Sequence, residues 1–110
     1  MAIVTVSIVP LGTGTTSVSR YVARAVKAAQ LQGEIKYQLT PMGTILEGDL
    51  DRVLEVVRQM HESVFDEDAQ RVLTSITIDD RRDRPSTMEG KVRAVQNKLQ
   101  GVQPVSDVIE

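Results

Sequence analysis

Ile35-Lys36-Tyr37-Gln38-Leu39-Thr40-Pro41-Met42-Gly43-Thr44-Ile45-Leu46-Glu47 is the stretch that decides how this chain folds. From Ile35 to Thr40 apolar and polar residues alternate, the period of a half-buried strand. Pro41-Met42-Gly43 interrupts the run with turn chemistry, and Thr44 to Glu47 resumes it as a second short strand. Two strands joined by so short a turn must run antiparallel, as a hairpin. What lies on either side of that hairpin settles the topology.

Upstream, residues 2–9 are β-branched and alternate, with Val4, Val6 and Ile8 on one face and Thr5, Ser7 and Val9 on the other. Pro10 is expected to end this first strand, and Leu11 to Thr16 forms a glycine-rich turn. Ser17 is the candidate N-cap of a first helix, whose apolar positions are Val18, Val22, Ala25, Val26 and Ala29. Gly33 suits the position just past its end. Downstream, Asp49 is the candidate cap of a second helix carrying Leu50, Val53, Leu54, Val57, Met60, His61 and Val64 at helical spacing. Asp66-Glu67-Asp68 reads as a solvated loop, and Arg71 to Asp79 as a fourth strand. The charged run Asp80 to Arg84 leads to Pro85. Ser86-Thr87-Met88-Glu89 reads as a capping box opening a third helix, with Met88, Val92, Val95 and Leu99 as its stripe. The tail from Gly101 to Glu110 is expected to be loosely held.

The order β-α-β-β-α-β is the split βαβ motif, here with an added C-terminal helix. The predicted fold class is therefore α+β, ferredoxin-like, with a four-stranded antiparallel sheet. Residues 1–110 are read as one domain. Right-handed crossovers put both long helices on one sheet face and leave the other bare. The covered face should carry Val4, Val6, Ile8, Ile35, Tyr37, Leu39, Val72, Ile76 and Ile78. The bare face should carry Thr5, Ser7, Val9, Lys36, Gln38, Thr40, Leu73, Ser75, Thr77 and Asp79. That second set is rich in hydroxyls and poor in long charged groups. It reads as a surface for packing against another copy, as part of a ligand pocket, or as an open face of β-favouring residues.

Composition narrows the functional classes. The 110 residues are 41% apolar with three aromatics, Tyr21, Tyr37 and Phe65, and no cysteine. Thiolate chemistry, disulfides and cysteine metal sites are excluded. The net charge of −2 offers no field for a nucleic-acid backbone, and the bare strands carry no aromatics to stack on bases. The start of the chain has no signal-peptide pattern, and no apolar run approaches the roughly 18 residues of a membrane span. A cytoplasmic protein with no nucleic-acid and no membrane partner is the expectation.

Few residues offer chemistry. His61 stands alone beside an apolar stripe and reads as core-flanking. Gly12-Thr13-Gly14-Thr15-Thr16-Ser17 could present backbone donors to an anion, but it lacks the Lys of a P-loop and the third glycine of a dinucleotide fingerprint. Asp79-Asp80-Arg81-Arg82-Asp83 alternates in sign, which favours an ion-pair cluster over acid–base catalysis. Neither a catalytic residue nor a metal site nor a cofactor is expected.

Several segments together resemble a known family. They are Val9-Pro10-Leu11-Gly12, then Thr16-Ser17-Val18-Ser19-Arg20-Tyr21-Val22-Ala23, then Tyr37 to Gly48 with its Pro-Met-Gly-Thr and Glu-Gly, then Arg71-Val72, Ser75-Ile76-Thr77-Ile78-Asp79-Asp80-Arg81 and Lys91-Val92. The chain is similar, roughly from Ile3 to Gln100, to the small thiamine-binding proteins of ferredoxin-like fold. The resemblance implies homotetramers built from sheets that pair and stack, with a ligand site near subunit contacts. It implies thiamine or its hydroxymethylpyrimidine moiety as ligand, and no catalysis. Matched position by position, it points to Ser17, Ser19, Thr44, Glu47, Asp79 and Arg81. An aminopyrimidine needs an acceptor for its amino group and a donor for a ring nitrogen, and a thiazolium cation prefers carboxylates. Glu47 and Asp79 fit the acceptor role; Ser17, Ser19 or Thr44 fits the donor role. The alternative is an oligomeric regulatory or scaffold module without a physiological ligand.

Overall fold

The computed structural model describes residues 1–101. Its elements are β1 (Ala2–Leu11), α1 (Ser19–Leu31), β2 (Lys36–Thr40), β3 (Gly43–Gly48), α2 (Leu50–Val64), β4 (Arg71–Asp80) and α3 (Met88–Gln100). The strands form one sheet in the order β2-β3-β1-β4, antiparallel at every junction. This is the βαββαβ arrangement that the hairpin predicts, with α3 added.

β1 holds the sheet together because it is bonded on both edges. It pairs with β3 over Ala2–Val6 and with β4 over its whole length, Ala2 opposite Asp80 and Leu11 opposite Arg71. The expected stop at Pro10 does not occur; Pro10 lies in the ladder opposite Val72. The reason is that β3 has already ended. A proline lacks only one ladder donor, and beyond Val6 one edge of β1 has no neighbour to bond.

Alternation along β1 turns Ala2, Val4, Val6 and Ile8 inward, where all four are buried. Against them pack Tyr21, Ala25 and Ala29 of α1, Val53, Val56, Val57, Met60 and Val64 of α2, and Leu46 of β3. Each fully buried valine or leucine contributes roughly 1.5–3 kcal/mol. The inward set expected from the sequence is on this face, but coverage is uneven. Tyr37, Leu39, Ile76 and Ile78 all remain partly open to solvent. The helices sit over the centre of the sheet and leave its two edge strands, β2 and β4, partly uncovered.

The helix ends differ from expectation in detail. Val18, not Ser17, is the N-cap of α1, and it makes no side-chain cap. Asp49 has cap geometry but likewise bonds no amide through its side chain. Gly33 does take the left-handed conformation just past α1, at φ 70°. The capping box at α3 is shifted by one residue: Thr87 accepts from Gly90 N–H, and Glu89 is used elsewhere. The tail, from residue 102 on, lies outside the described residues.

Two predictions follow from this packing. A Cβ on Gly43 would lie 2.7 Å from the Val6 carbonyl oxygen, a backbone atom that cannot step aside. Gly43→Ala should therefore cost about 1–3 kcal/mol, seen as a lower denaturant midpoint at unchanged slope. Asp66 ties α1 to the loop before β4. It accepts from Arg24 at 2.7 Å and from the amides of Asp68 and Ala69. The Arg24 bond, helped by those amides, holds its carboxyl below the usual range. That stabilisation is complete above the unfolded-state value near 3.8 and is lost as pH falls through the lower folded value. Asp66→Asn should be less stable than the parent at pH 7, and the difference should shrink as the pH falls below the unfolded-state value near 3.8, checked by urea unfolding from neutral to acid pH.

Candidate functional site

Where β3 stops short of β1, the sheet has a notch. β1 continues through Ser7, Ile8 and Val9 with no β3 residue beside them, and the turn Pro41-Met42-Gly43 swings past the gap. The head of α1 closes it from above. The result is a cavity of about 240 Å³ between Val6, Ile8, Val22, Ala25 and Met60 on one side and Leu39 to Thr44 on the other. It opens between α1 and β2 into a groove of about 940 Å³, which shares Val18, Val22, Leu39, Thr40 and Pro41 with it. The cavity alone is small for a ligand site; the groove it opens into, at about 940 Å³, is within the usual range of about 300–1,000 Å³.

Its walls are mostly apolar. Ser17 and Ser19 stand at the rim, and among the described residues Lys27 is the one charged side chain along the groove. Gln30 is engaged with the Tyr37 hydroxyl at 2.7 Å. Thr44 is the polar group of the interior. It is only 4% exposed, and it shares the helix-side face with Val6 and Leu39, its neighbours in the ladder. Among the described residues its hydroxyl has no hydrogen-bond partner, yet it is not sealed in: it opens on the cavity. A hydroxyl that opens on a cavity is free to bond a group that enters it.

Glu47, Asp79 and Arg81 are not in this groove. Thr44 and Glu47 are three apart on one strand, so they point to opposite faces. On the second face, Glu47 and Asp79 flank Ile3, and Lys36 lies across from Glu47. The row Lys36–Glu47–Ile3–Asp79 thus crosses all four strands. It captures the first turns of α3. Glu47 is 3% exposed and accepts the Met88 N–H at 2.7 Å; Lys36 bonds Glu89 at 2.7 Å; Asp79 is paired with Lys91. A carboxylate at a helix N-terminus is well placed for the helix dipole. So the second face is not bare at this end, because α3 docks there. The hydrogen bond to Lys36 holds Glu89 below the usual carboxylate range, and the same bond raises Lys36.

Arg81 lies beyond the strand and makes a bidentate pair with Asp83, while Arg82 pairs with Asp80. These bonds lower Asp83 and Asp80 and raise both arginines. This is the ion-pair cluster that the alternating signs suggest. His61 is half-buried, 2.6 Å from the Thr74 hydroxyl and edge-on to Phe65, which is a packing role. Among the described residues no group of three or more His, Asp or Glu side chains is arranged to hold a metal.

The six singled-out residues therefore divide. Ser17, Ser19 and Thr44 share the groove and cavity; Glu47 and Asp79 share the polar row; Arg81 sits in the loop. The sequence reading missed Val22, Leu39, Pro41 and Met42 as lining. The signal was present in Leu39 and Met42, two apolar residues beside a turn, where burial is hard to achieve.

The polar row carries its own prediction. Glu47→Ala should leave the Met88 amide unpaired, cost about 1–3 kcal/mol and raise hydrogen exchange through α3. Glu47→Gln keeps an acceptor and should lose less. Equal losses, with α3 exchange unchanged in both, would refute the docking role.

Comparison with known proteins agrees with this architecture. Residues 4–96 match the family model described as thiamine-binding protein. The UPF0045 protein YqgV of Bacillus subtilis is 48% identical over 103 residues, covering 91% of this chain and 99% of that one. The solved structure of MJ1052 from Methanocaldococcus jannaschii superposes with a TM-score of 0.79 at 39% identity, covering 86% of this chain and 95% of that one. A Thermotoga maritima structure described as a putative thiamine biosynthesis/salvage protein superposes with a TM-score of 0.67 at 21% identity, over 86% of this chain and 97% of that one. At that identity it speaks to the fold.

Proposed function

This chain belongs to the thiamine-binding protein family, and from that premise we propose that it is a non-catalytic cytoplasmic binding protein for thiamine or its hydroxymethylpyrimidine moiety, held in the groove between α1 and β2. The observation that carries the reading is Thr44, a residue only 4% exposed whose hydroxyl has no hydrogen-bond partner among the described residues and opens to an apolar cavity. A flat pyrimidine ring suits that cavity: its faces meet Val22 and Leu39, and a ring nitrogen takes the Thr44 hydroxyl. Ser17 and Ser19 then meet polar groups at the rim.

Charge gives the ligand a direction. Among the described residues the groove has Lys27 and no carboxylate along it. A thiazolium cation is therefore better placed outward, in water, with the neutral pyrimidine inward. Glu47, Asp79 and Arg81 are engaged within the chain and do not enter this pose. Assembly into a homotetramer belongs to the same reading, supported by the uncovered apolar side chains of β4 and α3. Those side chains also favour the second reading, an oligomeric scaffold with no physiological small-molecule ligand.

Titration calorimetry and thermal shift with thiamine, hydroxymethylpyrimidine and the thiamine phosphates separate the two. Thr44→Val should weaken binding roughly three- to tenfold while leaving the melting temperature nearly unchanged, since it keeps the side chain's shape and breaks no hydrogen bond among the described residues. No heat and no shift with any of these compounds at millimolar concentration would reject the ligand reading and leave the scaffold.

A further inference from the structure

We propose that the far end of the groove, at Lys27, Gln30 and Tyr37, is an anion subsite, so that the ligand held here is a phosphate monoester of the pyrimidine alcohol rather than the thiamine cation. This rests on the groove of the reading above and adds the charge of the ligand and the residues that read it.

α1 and β2 form the two walls of the groove. Among the described residues one side-chain hydrogen bond bridges them: Gln30 Nε2 donates to the Tyr37 hydroxyl at 2.7 Å. Tyr37 lies on the helix-side face of β2, opposite Leu46. Because its phenol oxygen accepts from Gln30, its own proton is left to donate. Lys27 precedes Gln30 by three residues, which puts both on one face of α1, and both line the groove. The cluster offers an ammonium, a phenol O–H and the second N–H of the Gln30 amide.

Nothing nearby balances the Lys27 charge. The positions one turn away on α1, where an acid would do so, are Ala23, Arg24, Gln30 and Leu31. Among the described residues Lys27 enters no ion pair, and no carboxylate lines the groove. A cation there repels a thiazolium ring held outward and attracts a phosphate. A phosphate monoester carries about −1.5 to −2 charges at neutral pH and has three strong acceptor oxygens, which match this donor set.

The spacing fits one molecule. Leu39 is opposite Thr44 across β2 and β3, and Tyr37 is two residues before Leu39 on the same face. With strands about 4.8 Å apart and about 3.4 Å per residue, the backbone of Tyr37 is roughly 8 Å from that of Thr44. A six-membered ring carrying a one-carbon phosphate ester spans a comparable length. Its ring nitrogen then meets Thr44 in the cavity, and its phosphate lies by Lys27 and Tyr37, at the open end where it keeps part of its water. Thiamine in the same pose puts its thiazolium ring against Lys27 instead.

Titration calorimetry with hydroxymethylpyrimidine, its phosphate ester, thiamine and inorganic phosphate tests this. The ester should bind the parent about tenfold or more tightly than the free alcohol, and the advantage should shrink at about 0.5 M salt. Lys27→Gln should abolish the advantage, and Lys27→Arg should keep most of it. Tyr37→Phe should lower it severalfold. Thr44→Val, at the other end, should weaken ester and alcohol alike and leave their ratio unchanged, a contrast that general damage to the groove does not produce. Equal affinities for ester and alcohol in the parent, tighter binding of thiamine than of the ester, or an advantage untouched by Lys27→Gln would overturn the anion subsite while the groove stands. Inorganic phosphate binding as tightly as the ester would overturn the single ligand spanning both ends. No binding of any pyrimidine compound at millimolar concentration would reject the groove reading itself, and this subsite with it.

Discussion

Strand β1 is bonded along both edges, but its two neighbours differ in length. β4 follows it for ten residues; β3 follows it only from Ala2 to Val6. The core depends on the first half, where β1 is central and its inward side chains meet both helices. The candidate site depends on the second half, where one edge of β1 is free and the hairpin turn bends away. The same mismatch allows Pro10 into the ladder and leaves Thr44 at the last paired position, beside the opening. One unequal pairing thus produces both the stable centre and the gap that could hold a ligand.

The sheet separates two kinds of polar chemistry. On the helix side the interior is apolar and Thr44 stands nearly alone, so a single hydroxyl can direct how a ring is oriented. On the other side the row from Lys36 to Asp79 is charged and already satisfied by α3. Glu47 there works as a cap supplied from a distant strand, which anchors α3 by its first turn. The rest of that helix is exposed, including Val92, Val95 and Leu99. Such a helix gains little from its own domain, as expected of a segment anchored mainly at one end.

Much of this was legible in advance. The alternation of Val4, Val6 and Ile8 against Thr5, Ser7 and Val9 gave the inward face of β1 correctly. The spacing of Val53, Val57, Met60 and Val64 gave most of the buried stripe of α2, but Leu54, expected in it, is exposed, and the buried Val56 was not foreseen. The family resemblance singled out Ser17, Ser19 and Thr44, which the fold brings to one groove. It singled out Glu47, Asp79 and Arg81 equally, and these the fold puts elsewhere. Residue type does not distinguish Thr44 from Glu47, both polar in one short strand; parity puts them on opposite faces, and only the landing place of α3 shows that Glu47 is already engaged.

The sequence by itself determined the element order, the hairpin, the face on which each strand residue lies, and the absence of thiol chemistry. These follow from backbone geometry, because a period of two or of 3.6 is a property of a strand or a helix wherever it sits. Only the tertiary structure decided where pairing with β1 stops, which carboxylates are already bonded, and which apolar residues stay uncovered. Those depend on the relative lengths of strands and on contacts between residues as far apart as Glu47 and Met88. Such contacts have no period, so no local pattern in the chain records them.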